Sequence, residues 1–229
     1  TIWKIRPRNM ILRPAVILPC VALGLATFIM QASESVISVC FNTSLRAYGG
    51  DLAVGAVTIL TSLMQFALLP LQGLGQGAQP IVSFNYGAGN ADRVKKTYFL
   101  LLRSSLPYSV LLWAALMLFP HTFAGIFTSD QQLIAFAAPA IRCYCAVLLV
   151  FGAQIACQMT FTSLGYAKAS IAVAVTRKFV LLIPLIYLMP VLFPADKTMA
   201  VYMAEPVADV LAVTFTVILF SIQFRKALR

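Results

Sequence analysis

The chain has 229 residues, of which 61% are hydrophobic and 10% charged, with a mean hydropathy of +0.90 and a formal net charge of +10. A soluble domain carries about a quarter charged residues, and the apolar runs here reach or exceed the roughly 20 residues that cross hydrocarbon. Composition therefore excludes an ordinary water-soluble domain and predicts an all-α integral membrane protein.

Six apolar segments follow one another with short polar or glycine-containing turns between them. The predicted transmembrane helices span residues 14–45, 51–84, 94–119, 131–164, 169–192 and 199–224. A turn is expected at residues 48–50, and a helix stop at residues 87–90. Pro70 and Pro80 predict interruptions of the second helix. No linker divides the chain, so residues 1–229 are expected to form a single six-helix lobe.

Basic residues are distributed unequally between the two predicted membrane faces. Fourteen of the 17, including Arg177 and Lys178, fall on the side that carries both termini, against Arg46 and Lys197 on the other. Arg142 lies inside a predicted helix. The positive-inside rule then places both termini in the cytoplasm. The net charge is thus explained by topology, and no nucleic-acid partner is expected.

Glycines 73, 75 and 77 form a Gly-x-Gly-x-Gly run that could suggest a nucleotide loop. No strand precedes it, so the run is better explained as a helix-packing motif that lets neighbouring backbones approach closely. The five cysteines all fall inside predicted helices and do not show zinc-site spacing. We find no nucleophile–base pair either, and therefore predict no metal site, no organic cofactor and no enzymatic activity.

Glu34 lies near the middle of the first predicted helix, between Ser33 and Ser35. An unpaired charge at mid-bilayer costs about 2.5–3.5 kcal/mol on insertion scales, so a carboxylate there requires an explanation. One explanation is a packing pair with Arg142 of the fourth helix. The other is a carboxylate that faces a water-filled cavity and couples transport to H⁺ or Na⁺.

Glu205 and Asp209 lie four residues apart on one face of the sixth predicted helix, with Pro206 between them. They are second-rank candidates for intramembrane charges with a function. The alternative is that both side chains simply reach the lipid headgroups at the outer end of that helix.

Several motifs in order resemble those of the multidrug and toxic compound extrusion (MATE) transporters. Residues 73–80 read Gly-Leu-Gly-Gln-Gly-Ala-Gln-Pro, residues 84–90 read Phe-Asn-Tyr-Gly-Ala-Gly-Asn, and Arg-Val-Lys-Lys follows at 93–96. Further segments that agree lie at residues 48–55, 118–130, 161–168 and 176–184. The resemblance covers nearly the whole chain.

The resemblance implies a twelve-helix antiporter that exports amphipathic and cationic compounds as Na⁺ or H⁺ enters. This chain resembles the C-terminal six-helix half, so its expected partners are an N-terminal lobe, amphipathic small molecules and the lipid bilayer of the cell (inner) membrane. Glu34 resembles the seventh-helix glutamate of the Na⁺-coupled branch. That branch also carries an acidic residue in its tenth helix, where this chain has Arg142 instead.

Two other functions remain open from the sequence. A lipid-linked oligosaccharide flippase of the same larger fold group would need a strongly cationic cavity, and Arg142 is the only base assigned to the membrane interior. A half-size scaffold or channel that forms a homodimer would need a self-complementary face.

Overall fold

The computed structural model describes residues 14–165 and 175–227, apart from the side chains of residues 15, 16, 18–31 and 225–227. The described chain is helical, and no strand occurs in it. Its helices are α1 (Pro14–Gly87), α2 (Ala91–Leu118), α3 (Pro120–Gly125), α4 (Gln131–Tyr144), α5 (Phe151–Ser163), α6 (Ile183–Leu192) and α7 (Lys197–Ala227). A 3₁₀ turn, Leu148–Val150, precedes α5, and a π-helical segment, Thr176–Leu182, precedes α6.

Helix α1 is broken at Gly50, whose φ of 64° and ψ of −156° lie in a region that is essentially restricted to glycine. The break separates a first arm, residues 14–49, from a second arm, residues 51–87. Residues 34–42 and 57–72 line one cavity, so the chain folds back on itself at Gly50. The turn predicted at residues 48–50 is confirmed.

The predicted interruptions at Pro70 and Pro80 are wrong, because α1 continues through both prolines. Membrane helices tolerate proline where neighbouring groups satisfy the freed carbonyls. The second arm ends where the sequence predicts it. Gly89, with a φ of 75°, donates its N–H to the Tyr86 carbonyl, and Asn90 donates to the Asn85 carbonyl. This pair of bonds is the Schellman arrangement that ends a helix.

The prediction of one continuous helix over residues 131–164 is also wrong. Helices α4 and α5 are separate and bent by 46° relative to each other. Two serines of α2 contact the chain just beyond the bend. Ser109 Oγ donates to the Leu149 carbonyl (3.0 Å), and Ser105 Oγ donates to the Gly152 carbonyl (3.0 Å). In a membrane, irregular backbone is tolerated where protein groups satisfy it.

Three described helical stretches are long and apolar enough to cross a membrane: Ala32–Gly87, Ala91–Leu118 and Lys197–Phe224. The bent α4–α5 pair makes a fourth if it counts as one span. The first stretch contains the Gly50 break, and the helix predicted at residues 169–192 is described only from residue 175. A six-helix lobe therefore stays a prediction.

The apolar core lies between both arms of α1, α4, α5 and α7. Tyr202 of α7 is fully buried there and donates its hydroxyl to the Ala53 carbonyl (2.8 Å), just beyond the break in α1. Large apolar side chains such as Phe66, Phe84 and Leu111 cover the outside. An apolar exterior around a packed core is what a lipid-facing protein requires.

Candidate functional site

A cavity of about 1000 Å³ lies between the two arms of α1 and extends to the π segment and α7. Its lining along the arms is mixed, with hydroxyl and amide side chains such as Ser38, Asn42, Thr61 and Gln65 among apolar ones. The charged residues that line it are Glu34, Arg177, Lys178 and Glu205. Charges thus gather where three elements of the core meet.

Arg177 binds two carboxylates of α7 at once. Its Nε donates to Asp209 Oδ1 (2.6 Å), and its Nη2 donates to Glu205 Oε1 (3.0 Å). Both acidic residues are buried, Asp209 to 1% exposure. The guanidinium carbon also lies 5.7 Å from the centre of the Phe151 ring. A planar guanidinium suits this arrangement, because it presents several donors in a fixed fork.

Lys178, the next residue, binds the opposite side of the cavity. Its Nζ lies 2.5 Å from Glu34 Oε1, on the first arm of α1. The Lys178 side chain is 13% exposed, whereas that of Glu34 is 60% exposed. Glu34 is therefore bound at Oε1 by a largely enclosed ammonium, although its side chain as a whole is mostly exposed.

The π segment Thr176–Leu182 carries both Arg177 and Lys178, which bind different helices. Its hydrogen bonds run to the fifth residue rather than the fourth, and such wide turns often occur at functional sites. Arg177 reaches α7 from it, and Lys178 reaches α1. The five charged residues together join α1, the π segment and α7; we call them the charge cluster (Glu34, Arg177, Lys178, Glu205, Asp209).

The ion pairs of Arg177 and that of Lys178 differ in how much stability is lost when one partner is removed. Removing one partner of a buried ion pair costs about 3–5 kcal/mol, because it leaves a buried charge uncompensated. A solvent-exposed pair is worth only about 0–1 kcal/mol. Arg177 with its two carboxylates is of the first kind, and Lys178 with Glu34 is intermediate. The charge cluster contains three carboxylates and two basic groups, and all of these except Asp209 line the cavity.

The predicted packing pair of Glu34 and Arg142 is wrong. Glu34 binds Lys178, whereas Arg142 lies in the last turn of α4 and donates its Nε to the Met117 carbonyl (3.1 Å). The Arg142 residue is exposed. It is thus not a member of the charge cluster.

The alternative that Glu205 and Asp209 reach the headgroups is also wrong, because both are buried against Arg177. Sequence reasoning missed Arg177 and Lys178 by assigning them to the cytoplasmic surface. A signal was present, since both lie more than two turns inside the helix predicted at residues 169–192. When Arg177 and Lys178 are no longer counted, twelve basic residues remain on the predicted inner side against two on the outer side, so the basic residues are still distributed unequally.

The three glycines of the packing motif have different surroundings. A Cβ on Gly75 would lie 2.6 Å from Met159 Cγ of α5, so the second arm and α5 approach closely there. At Gly73 and Gly77 a Cβ would meet nothing within 4 Å. Close packing at these two positions stays a prediction.

The MatE family profile matches residues 26–188, well over half of the chain. The chain belongs to the MatE family. Members of this family are multi-pass membrane transporters rather than enzymes, and in bacteria they lie in the cell membrane. Within this MatE chain, the match includes Glu34, Arg177 and Lys178 and ends before Glu205 and Asp209.

Curated relatives of this MatE chain include multidrug export proteins. MepA of Staphylococcus aureus (strain NCTC 8325 / PS 47) is 25% identical over 171 residues, which are 75% of this chain and 37% of MepA. MepA of Staphylococcus haemolyticus (strain JCSC1435) is 23% identical over 171 residues, with the same shares covered.

Solved structures agree with the fold. The MATE multidrug transporter DinF-BH, in complex with R6G, is 32% identical, with a TM-score of 0.77 over 93% of this chain and 47% of that one. A MOP superfamily transporter from Pyrococcus furiosus gives a TM-score of 0.84 at 17% identity, over 99% of this chain and 50% of that one. The chain therefore spans about half the length of these transporters.

Proposed function

We propose that this MatE chain is the C-terminal lobe of a multidrug antiporter, in which entry of H⁺ or Na⁺ drives export of amphipathic and cationic compounds by alternating access. The observation that carries the proposal is the cavity lined by Glu34, whose side chain is the most exposed of the charged side chains there. A carboxylate exposed in a cleft attracts cations.

An N-terminal lobe is the expected partner. The chain spans about half of the related transporters, and Gly73 and Gly77 present backbone without close neighbours on the second arm of α1. Both termini are proposed to be cytoplasmic, on the basis of the basic asymmetry, in the cell membrane.

The flippase alternative is less well supported by the charges at the cavity. A pyrophosphate-bearing substrate needs an excess of positive charge, whereas Arg177 and Lys178 at the cavity are matched by Glu34 and Glu205. Glu34 has the most exposed side chain of these four, which suits a cationic substrate better.

The test is Glu34→Gln in the protein expressed from its complete reading frame and reconstituted in vesicles. The substitution keeps the shape of the side chain and removes its charge. We expect normal protein levels, with efflux of a cationic dye under an imposed Na⁺ or H⁺ gradient lost or no longer dependent on the gradient. Asp92→Asn, an exposed carboxylate in the first turn of α2, is the matched control and should transport normally. Unchanged gradient-driven efflux in Glu34→Gln would refute the coupling role.

A further inference from the structure

The carboxylates of the charge cluster are not equally available to a cation in the cavity. Asp209 and Glu205 are buried and bound by the same guanidinium. Glu34 lines the cavity with 60% of its side chain exposed, and the ammonium of Lys178 lies against Oε1. Glu34 is therefore the carboxylate that an entering cation reaches, and Lys178 is already there.

We propose that Lys178 is a tethered counter-cation for Glu34. Its ammonium occupies the carboxylate while the cavity holds no cation, and a cation that enters the cavity takes its place. The inference rests on the proposed function, because it takes Glu34 as the residue that binds the transported or coupling cation. It adds a competitor within the same chain, which sets how tightly that cation binds.

The chemistry of the two basic residues suits this division. A lysine ammonium is a point charge on a flexible four-carbon stem, so it can move away by rotation about side-chain bonds. The Arg177 fork holds two carboxylates at once, and both are buried. Arg177 thus keeps the π segment attached to α7 while the neighbouring ammonium exchanges.

Two sources of cation fit the site. An inorganic ion such as Na⁺ needs the carboxylate and further oxygen ligands, and the cavity-lining hydroxyls of Ser35 and Ser38 lie one and four residues from Glu34. An organic cation needs the carboxylate together with space, and the cavity volume of about 1000 Å³ provides it. The competition with Lys178 is the same in both cases.

The experiment measures binding of Na⁺ and of the cationic dye R6G to the purified full-length protein at constant ionic strength. Lys178→Met removes the ammonium and keeps an unbranched apolar stem, and Lys178→Arg keeps a cation at the same place. We expect Lys178→Met to bind at least one of the two cations about tenfold more tightly, and Lys178→Arg to bind neither more tightly than the wild type. A gain for Na⁺ alone identifies an inorganic ion as the competitor, and a gain for the dye alone identifies an organic one.

The same measurement on Glu34→Gln and on Glu34→Gln/Lys178→Met shows whether the gain acts through Glu34. The double variant should bind no more tightly than Glu34→Gln alone. If Lys178→Met gains nothing for either cation while retaining the elution profile of a folded protein, or if the double variant keeps the gain, the counter-cation role is refuted. If Glu34→Gln alone leaves both affinities unchanged, the proposed function fails at its coupling residue, which is a different result.

Discussion

At the scale of single residues, the members of the charge cluster differ in what their loss would expose. Loss of Lys178 leaves Glu34, whose carboxylate is already open to the cavity. Loss of Arg177 leaves Glu205 and Asp209 buried side by side with no cation between them. Arg177 is thus the residue on which the stability of the cluster depends most.

We predict that Arg177→Met lowers the free energy of unfolding by about 3–5 kcal/mol, because two buried carboxylates lose their partner. Thermal unfolding of the purified protein in detergent measures the change. Adding Glu205→Gln and Asp209→Asn should recover part of the loss, since the neutral amides no longer need a cation. Arg93→Met, on an exposed position of α2, is the control and should unfold like the wild type. An unaltered unfolding temperature for Arg177→Met would contradict this account.

Gly50 is a second residue that affects stability, in this case through its own backbone conformation. With φ at 64° and ψ at −156°, any side chain there strains the backbone, although a Cβ would meet no atom within 4 Å. We predict that Gly50→Ala costs about 1–3 kcal/mol of stability through the backbone alone. Gly87→Ala, where a Cβ would also meet nothing and φ is not positive, should cost less than that. Equal unfolding temperatures for the two variants would show that the break at Gly50 carries no strain.

At the scale of helices, α2 stabilises the bend between α4 and α5. Its Ser109 and Ser105 donate to carbonyls of residues 149 and 152, and a Cβ on Gly152 would lie 2.5 Å from the Ser105 carbonyl oxygen. The backbones of α2 and α5 therefore approach closely at a glycine. Small residues at such crossings let helices in lipid pack tightly.

We predict that Gly152→Ala destabilises the protein more than Ser109→Ala does. The added methyl meets backbone, which cannot rotate away, whereas one interhelical hydrogen bond in a membrane is worth about 0.6–1.7 kcal/mol. Ser104→Ala is the matched control, because Ser104 Oγ donates to the Leu100 carbonyl of its own helix. Urea or thermal unfolding of the three variants gives the order, and a Gly152→Ala protein as stable as the Ser104→Ala protein would contradict the close approach.

Sequence reasoning predicted the elements whose causes are local. The turn at residues 48–50 and the stop at residues 87–90 follow from glycines that adopt positive φ. The sequence-based predictions were wrong where the structure depends on contacts with residues distant in sequence. Pro70 and Pro80 stay helical, the bend after α4 depends on serines of α2, and Arg177 is paired only because α7 packs against the π segment. None of these partners can be read from the spacing of residues along one helix.

At the scale of the whole molecule, the described chain is a set of packed helices with many exposed apolar side chains and a cavity of mixed polarity. Phe84, Leu111 and Val191 are each at least 70% exposed. That surface suits lipid, whereas the cavity also presents charged, hydroxyl and amide side chains. The proposed orientation, with both termini in the cytoplasm, can be tested from the loops.

We predict that single cysteines at Ser129 and Ala195 react with a membrane-impermeant thiol reagent added outside the cell, and that one at Asp92 does not. All three positions are exposed in the structure, so access depends on the side of the membrane. The native cysteines are first replaced, and permeabilised cells serve as the control in which all three should react. External labelling at Asp92 would invert the proposed topology.

The π segment affects which homologues can be expected to conserve the charge cluster. Each residue of an α-helix turns the chain by about 100°, so losing one residue between 179 and 182 would rotate Arg177 and Lys178 relative to α6 and away from their partners on α7 and α1. The cluster would then be dismantled with all five of its side chains still encoded. Homologues that share Glu34, Arg177, Lys178, Glu205 and Asp209 are therefore expected to share this site only if they also keep the wide turn, and an alignment gap there matters as much as a substitution.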